Sequence, residues 1–335
     1  MIRGERPLRL LGLLLVGLTA VLTTLGVPVT SAQGATVHVV RSDVPLPVND
    51  PWAAAWDAVR PIEVTLSGQA VAPPRLLIPS VATVRARAMV DDERFAMLLE
   101  WADPTSDEDV LDVGRFADQA AMQFALGSGT SVCMGQQAGA LNIWHWKADW
   151  AADLAARKDI EQRFPNAPQD EHVPPGLAEG AGLGPGGFLT GRAAGNPRSA
   201  LTHPSAVEDL IAAGFGTLTP EPFDRQDVAG ASSYRDGTWR VVMSRRLDNG
   251  DPNDAALEAG RSLVVAFAVW DGARGDRNGL KSVSAWLSLV IPAREMSLLD
   301  HLPFLVLILV VLALGAWLFW IGGRQPAIGL GGPPA

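Results

Sequence analysis

Between about residue 60 and residue 291 the chain repeats one pattern: short runs of alternating apolar and polar residues, separated by Gly, Pro and Asp. The runs are 62–66 (IEVTL), 81–89 (VATVRARAM), 95–101 (FAMLLEW), 120–125 (AAMQFA), 141–146 (LNIWHW), 239–245 (WRVVMSR), 263–270 (LVVAFAVW) and 283–291 (VSAWLSLVI). Successive side chains of a strand point to opposite faces, so alternation of this kind predicts half-buried strands. Many such runs at this spacing predict an all-β fold, an antiparallel β-sandwich. In the 81–89 run Arg85 and Arg87 fall on the outer face.

One stretch breaks the pattern. Residues 164–234 are long for a connection, with Gly and Pro concentrated in 174–197. Connections of this length inside a compact domain are functional or disordered. Within it, 205–214 (SAVEDLIAAG) predicts a short helix capped by Ser205 with Glu208 three residues on. The whole is expected to be an insertion over one end of the sandwich.

The two ends address the chain to a membrane. Arg3, Arg6 and Arg9 precede an apolar run from Leu10 to Val29 and the small residues Thr30, Ser31 and Ala32. That order predicts a secretory signal peptide over residues 1–32. Near the other end, 303–321 (PFLVLILVVLALGAWLFWI) carries no charge and is followed by Arg324. A uniformly apolar run of this length predicts a single transmembrane helix, with a short cytoplasmic tail at 322–335. The body, 36–300, is then held outside the cytoplasm at the cell membrane.

Charge sharpens this picture. The chain carries −9 in total; residues 1–35 hold +2 and 301–335 hold +1, which leaves −12 on the body. So acidic a body makes a poor nucleic-acid ligand, because phosphates must be met by Lys and Arg. Cys133 is the single cysteine. That excludes a disulfide framework, a Cys-held iron–sulfur cluster and haem attached through C-x-x-C-H. The histidines, His38, His145, His172, His203 and His301, form no compact metal motif. No nucleophile elbow or phosphate loop is present. The carboxylates of 103–109 read as a solvated turn.

Aromatic clusters remain. Trp144, Trp146 and Trp150 fall within seven residues, and Trp270 and Trp286 flank a second cluster. Two readings stay open on composition: an aromatic-walled cleft and ordinary sandwich core.

The motifs occur in a telling order. Trp101 is followed by Asp103-Pro104-Thr105, then come Met134-Gly135, NIWHWKADW at 142–150, WRVVMSRRL at 239–247 and AVWDG with LKSVSAW within 268–286. In this the chain resembles the haem b-binding gamma subunits of the ethylbenzene dehydrogenase and dimethylsulfide dehydrogenase type of molybdoenzyme, with kin in chlorate and selenate reductases. The resemblance covers about 50–291 apart from the insertion. It implies a β-sandwich holding one non-covalent haem b between Met134 and Lys281 as axial ligands. It also implies electron transfer with a redox partner, an iron–sulfur subunit of a molybdoenzyme or another cytochrome, and no catalysis by this chain itself. His145 is the rival to Lys281, by similarity to methionine–histidine cytochromes; Lys147 and Met243 are weaker rivals. Tyr234, Arg240, Arg245 and Arg246 are candidates for the haem propionates. The alternative function is a haem-free β-sandwich binding module with a Trp-lined cleft for carbohydrate or another ligand. The anchor and the insertion depart from the soluble form of the family.

Overall fold

The computed structural model describes residues 35–127, 140–157, 163–166, 203–294 and 302–322. The expected signal peptide, Cys133, Met134, the Gly/Pro-rich 174–197 stretch and most of the tail lie outside the described residues.

The described body is a β-sandwich of fourteen strands. They are β1 (Thr36–Arg41), β2 (Ile62–Thr65), β3 (Ser67–Gly68), β4 (Thr83–Val90), β5 (Arg94–Ala102), β6 (Gln119–Ala125), β7 (Leu141–Lys147), β8 (Val207–Ala212), β9 (Thr219–Pro220), β10 (Ala229–Arg235), β11 (Thr238–Arg246), β12 (Ser262–Trp270), β13 (Ser282–Val283) and β14 (Leu287–Val290). One sheet runs β10-β11-β5-β4 with β2 beside β4, and the other runs β14-β12-β6-β7-β8-β9 with β13 and β3 beyond β12. Two short helices, α1 (Ala54–Asp57) and α2 (Ala148–Ala155), and a longer one, α3 (Leu302–Gly322), complete the set.

The sandwich is antiparallel except at β1. Its first half pairs in parallel with β14 (Thr36 opposite Ser288) and its second half in parallel with β4 (Arg41 opposite Val90). One strand thus belongs to both sheets and ties them along an edge. The wholly antiparallel expectation is corrected there, because a strand that joins two sheets takes its direction from both neighbours.

Alternation sets the core. Phe95, Met97, Leu99 and Trp101 of β5 face Trp144 and Trp146 of β7 across the sandwich, with Phe124 of β6 and Trp239 of β11. Trp101 stacks on Trp239 at 6.3 Å between ring centroids, and Trp146 meets Trp239 edge-on at 5.0 Å. Such pairs bury large apolar area and favour offset or edge-on geometry. The opposite face of β5 is buried too: Ala96 and Leu98 pack with Val242 under Leu46, Trp56 and Val59. Glu100 on that face accepts from Arg240 Nε at 2.7 Å and from Arg85 and Arg87, each at 3.1 Å. Burial alone would raise its carboxyl, but the three guanidinium groups outweigh that and hold it below the usual range. Arg85 and Arg87 therefore do lie on the outer face, with Arg87 covered by the segment ending at Val59, whose carbonyl it reaches at 3.1 Å.

Two expectations fail within 164–234. The predicted helix at 205–214 is strand β8, paired antiparallel with β7 from Trp146 opposite Val207 to Leu141 opposite Ala212. Ser205 Oγ accepts from Val207 N–H, a local turn before the strand instead of a helix cap. Pairing with a core strand overrides a weak local helix signal. The second half of the supposed insertion is likewise sheet. β10 pairs along its length with β11 through an Asp236-Gly237 turn in which both residues have positive φ, 49° and 74°. That is the two-residue turn whose twist matches a hairpin.

α3 occupies the apolar run near the C-terminus for 21 residues. Its described side chains, at 302, 305–314 and 317, are exposed. Among the described residues, no helix is long and apolar enough to cross a membrane. The apolar run is thus a helix, as expected, without being a membrane span among those residues.

Candidate functional site

The face of the β12-β6-β7-β8 sheet that turns away from the core forms one wall of a cavity of about 700 Å³. Strand parity decides what lines it. On β7, Trp144 and Trp146 point into the sandwich and are fully buried, so Ile143, His145 and Lys147 point to the cavity. The aromatic-cleft reading of Trp144 and Trp146 is thereby corrected: they are core. On β6 and β12 the cavity-facing positions are Gln119, Ala121, Gln123, Ala266, Ala268 and Trp270, while Met122, Phe124 and Phe267 fill the core side. The three alanines leave room between the glutamines and the Trp270 ring.

Lys281 is delivered by a short strand. Ser282 pairs with Gly68, and the Lys281 carbonyl accepts from Gln69 N–H at 3.0 Å. Gln69 Nε2 donates to Gly279 O at 2.8 Å, which fixes the loop before Lys281. The Lys-Ser-Val-Ser run alternates: Lys281 and Val283 reach the cavity, while Ser282 Oγ accepts from Val81 N–H at 3.1 Å. The Lys281 ammonium lies 5.1 Å from the centroid of the Trp270 ring. That ring also stacks on His145 at 4.8 Å, and its indole N–H donates to Asn278 O at 3.1 Å.

His145 Nε2 is 2.7 Å from Gln119 Oε1, which makes Nε2 the protonated nitrogen of that contact. Beside it, the Lys147 ammonium is ion-paired with Glu208 of β8, and both are almost fully buried. The ammonium also sits 3.9 Å from the Trp150 ring centroid. A buried pair of this kind needs its own hydrogen bonds and neighbours to offset desolvation.

The structure thus brings Lys281 and His145 to one cavity, with Lys147 alongside. Met134 lies outside the described residues; its chain segment leaves the β6–β7 hairpin where Leu126 N–H donates to Ala140 O at 3.0 Å. Met243 is core between the sheets. The expected propionate partners do not reach the cavity. Tyr234 donates to Asp103 O at 2.8 Å, Arg240 pairs with Glu100, Arg245 is buried against Asp254 at 3.0 Å and Arg246 is exposed. The guanidinium groups that do line the cavity are Arg115 and Arg277. Neither carried a sequence signal, because both sit in turns. Gln119 and Glu208 were missed as well, since their partners are far off in sequence.

The cavity's donor set fits a haem: amine and imidazole nitrogens beside alanines and the Trp270 ring, with cationic groups for carboxylates. Fold and site together define a ligand-binding β-sandwich. The ethylbenzene dehydrogenase family model matches residues 53–282, and the chain belongs to that family. Relatives include a protein of Haloferax mediterranei with the provisional name respiratory nitrate reductase heme subunit. It is 26% identical over 290 residues, 85% of this chain and 83% of its own length. The chlorate reductase subunit gamma of Ideonella dechloratans is 27% identical over 239 residues, 70% of this chain and 75% of its own. The dimethylsulfide dehydrogenase subunit gamma of Rhodovulum sulfidophilum is 32% identical over 200 residues, 57% of this chain and 54% of its own.

Proposed function

We propose that this protein is a membrane-anchored b-type cytochrome subunit that relays electrons and performs no substrate chemistry of its own. The observation that carries this reading is the meeting of Lys281 and His145 in one cavity, in a chain of this family. Haem b, held without covalent bonds, would supply one-electron transfer there. Met134 and Lys281 are the proposed axial ligands. A lysine ligates only as the free amine, and an apolar pocket disfavours its charged form. His145, held by Gln119 and Trp270, remains the rival to Lys281, since a ligating imidazole also has its other nitrogen hydrogen-bonded. Arg115 and Arg277 are the proposed partners of the haem carboxylates.

The redox partner is an iron–sulfur subunit of a molybdoenzyme or another cytochrome. The names of the relatives, subunits of nitrate and chlorate reductases and of a dehydrogenase, support this. The anchor is α3. Its 21 residues extend about 31 Å, which matches a hydrocarbon core of about 30 Å. The signal peptide at 1–32 would put the acidic body outside the cytoplasm.

The test is the visible spectrum of the full chain purified in detergent. A Soret band with a b-type α-band is expected. Their absence after haem supplementation would instead favour the haem-free binding module. Trp144 and Trp146 face the core, so the aromatic surface of that module would be Trp270 with Phe116 and Phe215.

A further inference from the structure

The carboxylates of the presumed solvated turn are not all solvated. Asp103 is 1% exposed, Asp118 is 0% and Asp271 is 3%. A carboxylate oxygen of each lies within 4.8 Å of one from both others. Each follows or precedes a strand: Asp103 ends β5 in one sheet, while Asp118 opens β6 and Asp271 closes β12 in the other.

Three buried carboxylates together repel one another and lose hydration, so something must neutralise them. The cation that touches the group among the described contacts is Arg274, 3.4 Å from Asp271 Oδ2, and its side chain is largely exposed. Asp118 is fixed by donors: Asp107 N–H and the Trp239 indole N–H reach Oδ2 at 2.8 and 3.0 Å, and Gly272 N–H reaches Oδ1 at 2.8 Å. Asp103 Oδ1 accepts from Thr105 N–H at 3.1 Å, but its Oδ2 is buried with no hydrogen bond at all. The Trp101 indole N–H bears on this carboxyl without reaching hydrogen-bond geometry, and is itself left without a partner. A buried carboxylate oxygen of this kind, among like charges, suits a cation's ligand atom.

We propose that Asp103, Asp118 and Asp271 bind a calcium ion that clamps the two sheets together beside the cavity. Carboxylates fixed at three strand ends suit calcium better than magnesium, because calcium accepts irregular oxygen geometry where magnesium demands a near-ideal octahedron. All donors are oxygen, which excludes a preference for soft metals. Burial raises the Asp103 carboxyl and pushes Asp118 up to about 7, in keeping with a site whose charge is left uncompensated. A second acidic trio, Asp209, Asp227 and Asp254, differs in kind, because the buried Arg245 stands among it as a built-in cation. Gln119 and Trp270, which hold His145, are the next residues after Asp118 and before Asp271. The ion would therefore steady the wall of the cavity.

The experiment uses the full chain in detergent, stripped with a chelator and desalted, with calcium chloride as the probe. Calorimetry should give one equivalent bound. At a free concentration of 100 times Kd, Tm should rise by about 5–10 °C, and magnesium should do less. Asp103→Asn and Asp118→Asn should fold by circular dichroism and lose that rise. If Asp118→Asn fails to fold, Asp103→Asn and the titration of the unaltered chain decide. The inference is overturned if the stripped protein binds no calcium saturably, or if both variants keep the full rise. It is also overturned if Tm responds to pH near neutrality but not to calcium, since protons would then be neutralising the cluster. None of these readouts depends on haem.

Discussion

At the scale of single residues, this sandwich is set apart by how many charged groups it buries and how differently each is compensated. Glu100 has three arginines, Lys147 has Glu208, and Arg245 has Asp254. Asp209 is less well served: Asn142 Nδ2 donates to it at 2.7 Å, but burial and then Asp254 raise its carboxyl well above the ordinary range. A raised carboxyl favours folding while it is protonated. Its contribution is full below the unfolded value near 4 and fades as pH climbs toward the folded value. Asp209→Asn keeps the acceptor for Asn142 and removes the titration. Its Tm should therefore fall less steeply than wild type between about pH 4 and pH 7. Thermal unfolding across that range checks this; parallel slopes would exclude Asp209 as the source.

The ligand assignment is also settled one residue at a time. Met134→Ala and Lys281→Ala should each open a coordination position and give a high-spin spectrum with a changed potential. His145→Ala should leave the low-spin spectrum nearly intact, because a wall residue acts through packing and hydrogen bonds. If His145→Ala abolishes the low-spin form and Lys281→Ala does not, the site is of the methionine–histidine type.

At the scale of elements, the turn after β12 is the tightest joint. Gly272 places its backbone so close to the 116–118 segment that a Cβ would lie 2.1 Å from Phe116 O. Backbone oxygen cannot step aside as a side chain can, so Gly272→Ala must move the turn and weaken the Gly272 N–H contact to Asp118. Overpacking of this kind costs about 1–3 kcal/mol. For a domain of this size that lowers Tm by about 2–12 °C, measurable by calorimetry. The glycine of the Trp-Asp-Gly motif is thus explained by a close approach that only a missing Cβ permits. Strand parity explains the Trp-rich motif in the same way. Alternation along β7 sends Trp144 and Trp146 to the core and His145 and Lys147 to the cavity. Parity was readable in the sequence, but which parity faced which side was not, because both faces of β7 are buried.

At the scale of the whole molecule, an acidic body of −12 is joined to an apolar helix. With α3 as the proposed anchor, truncation after Asp300 should give an exported, soluble protein where the full chain fractionates with the membrane. Retention in the membrane after signal cleavage would count against α3 as the anchor.

The sequence by itself determined the all-β class, most of the long strands and the apolar helix. These depend on local periodicity, and period-two alternation survives whatever the partner strand is. Only the tertiary structure decided the rest. Residues 207–212 became a strand because β7 offered an edge to pair with, not because of their own preference. Asp103, Asp118 and Asp271 lie far apart in the chain and became one buried cluster only when three strand ends converged. Arg115 and Arg277 came to the cavity, and Arg240 and Arg245 left it, through strand register and turn placement. Contacts between distant segments are set by how two sheets stack, and no local pattern in the chain encodes that stacking.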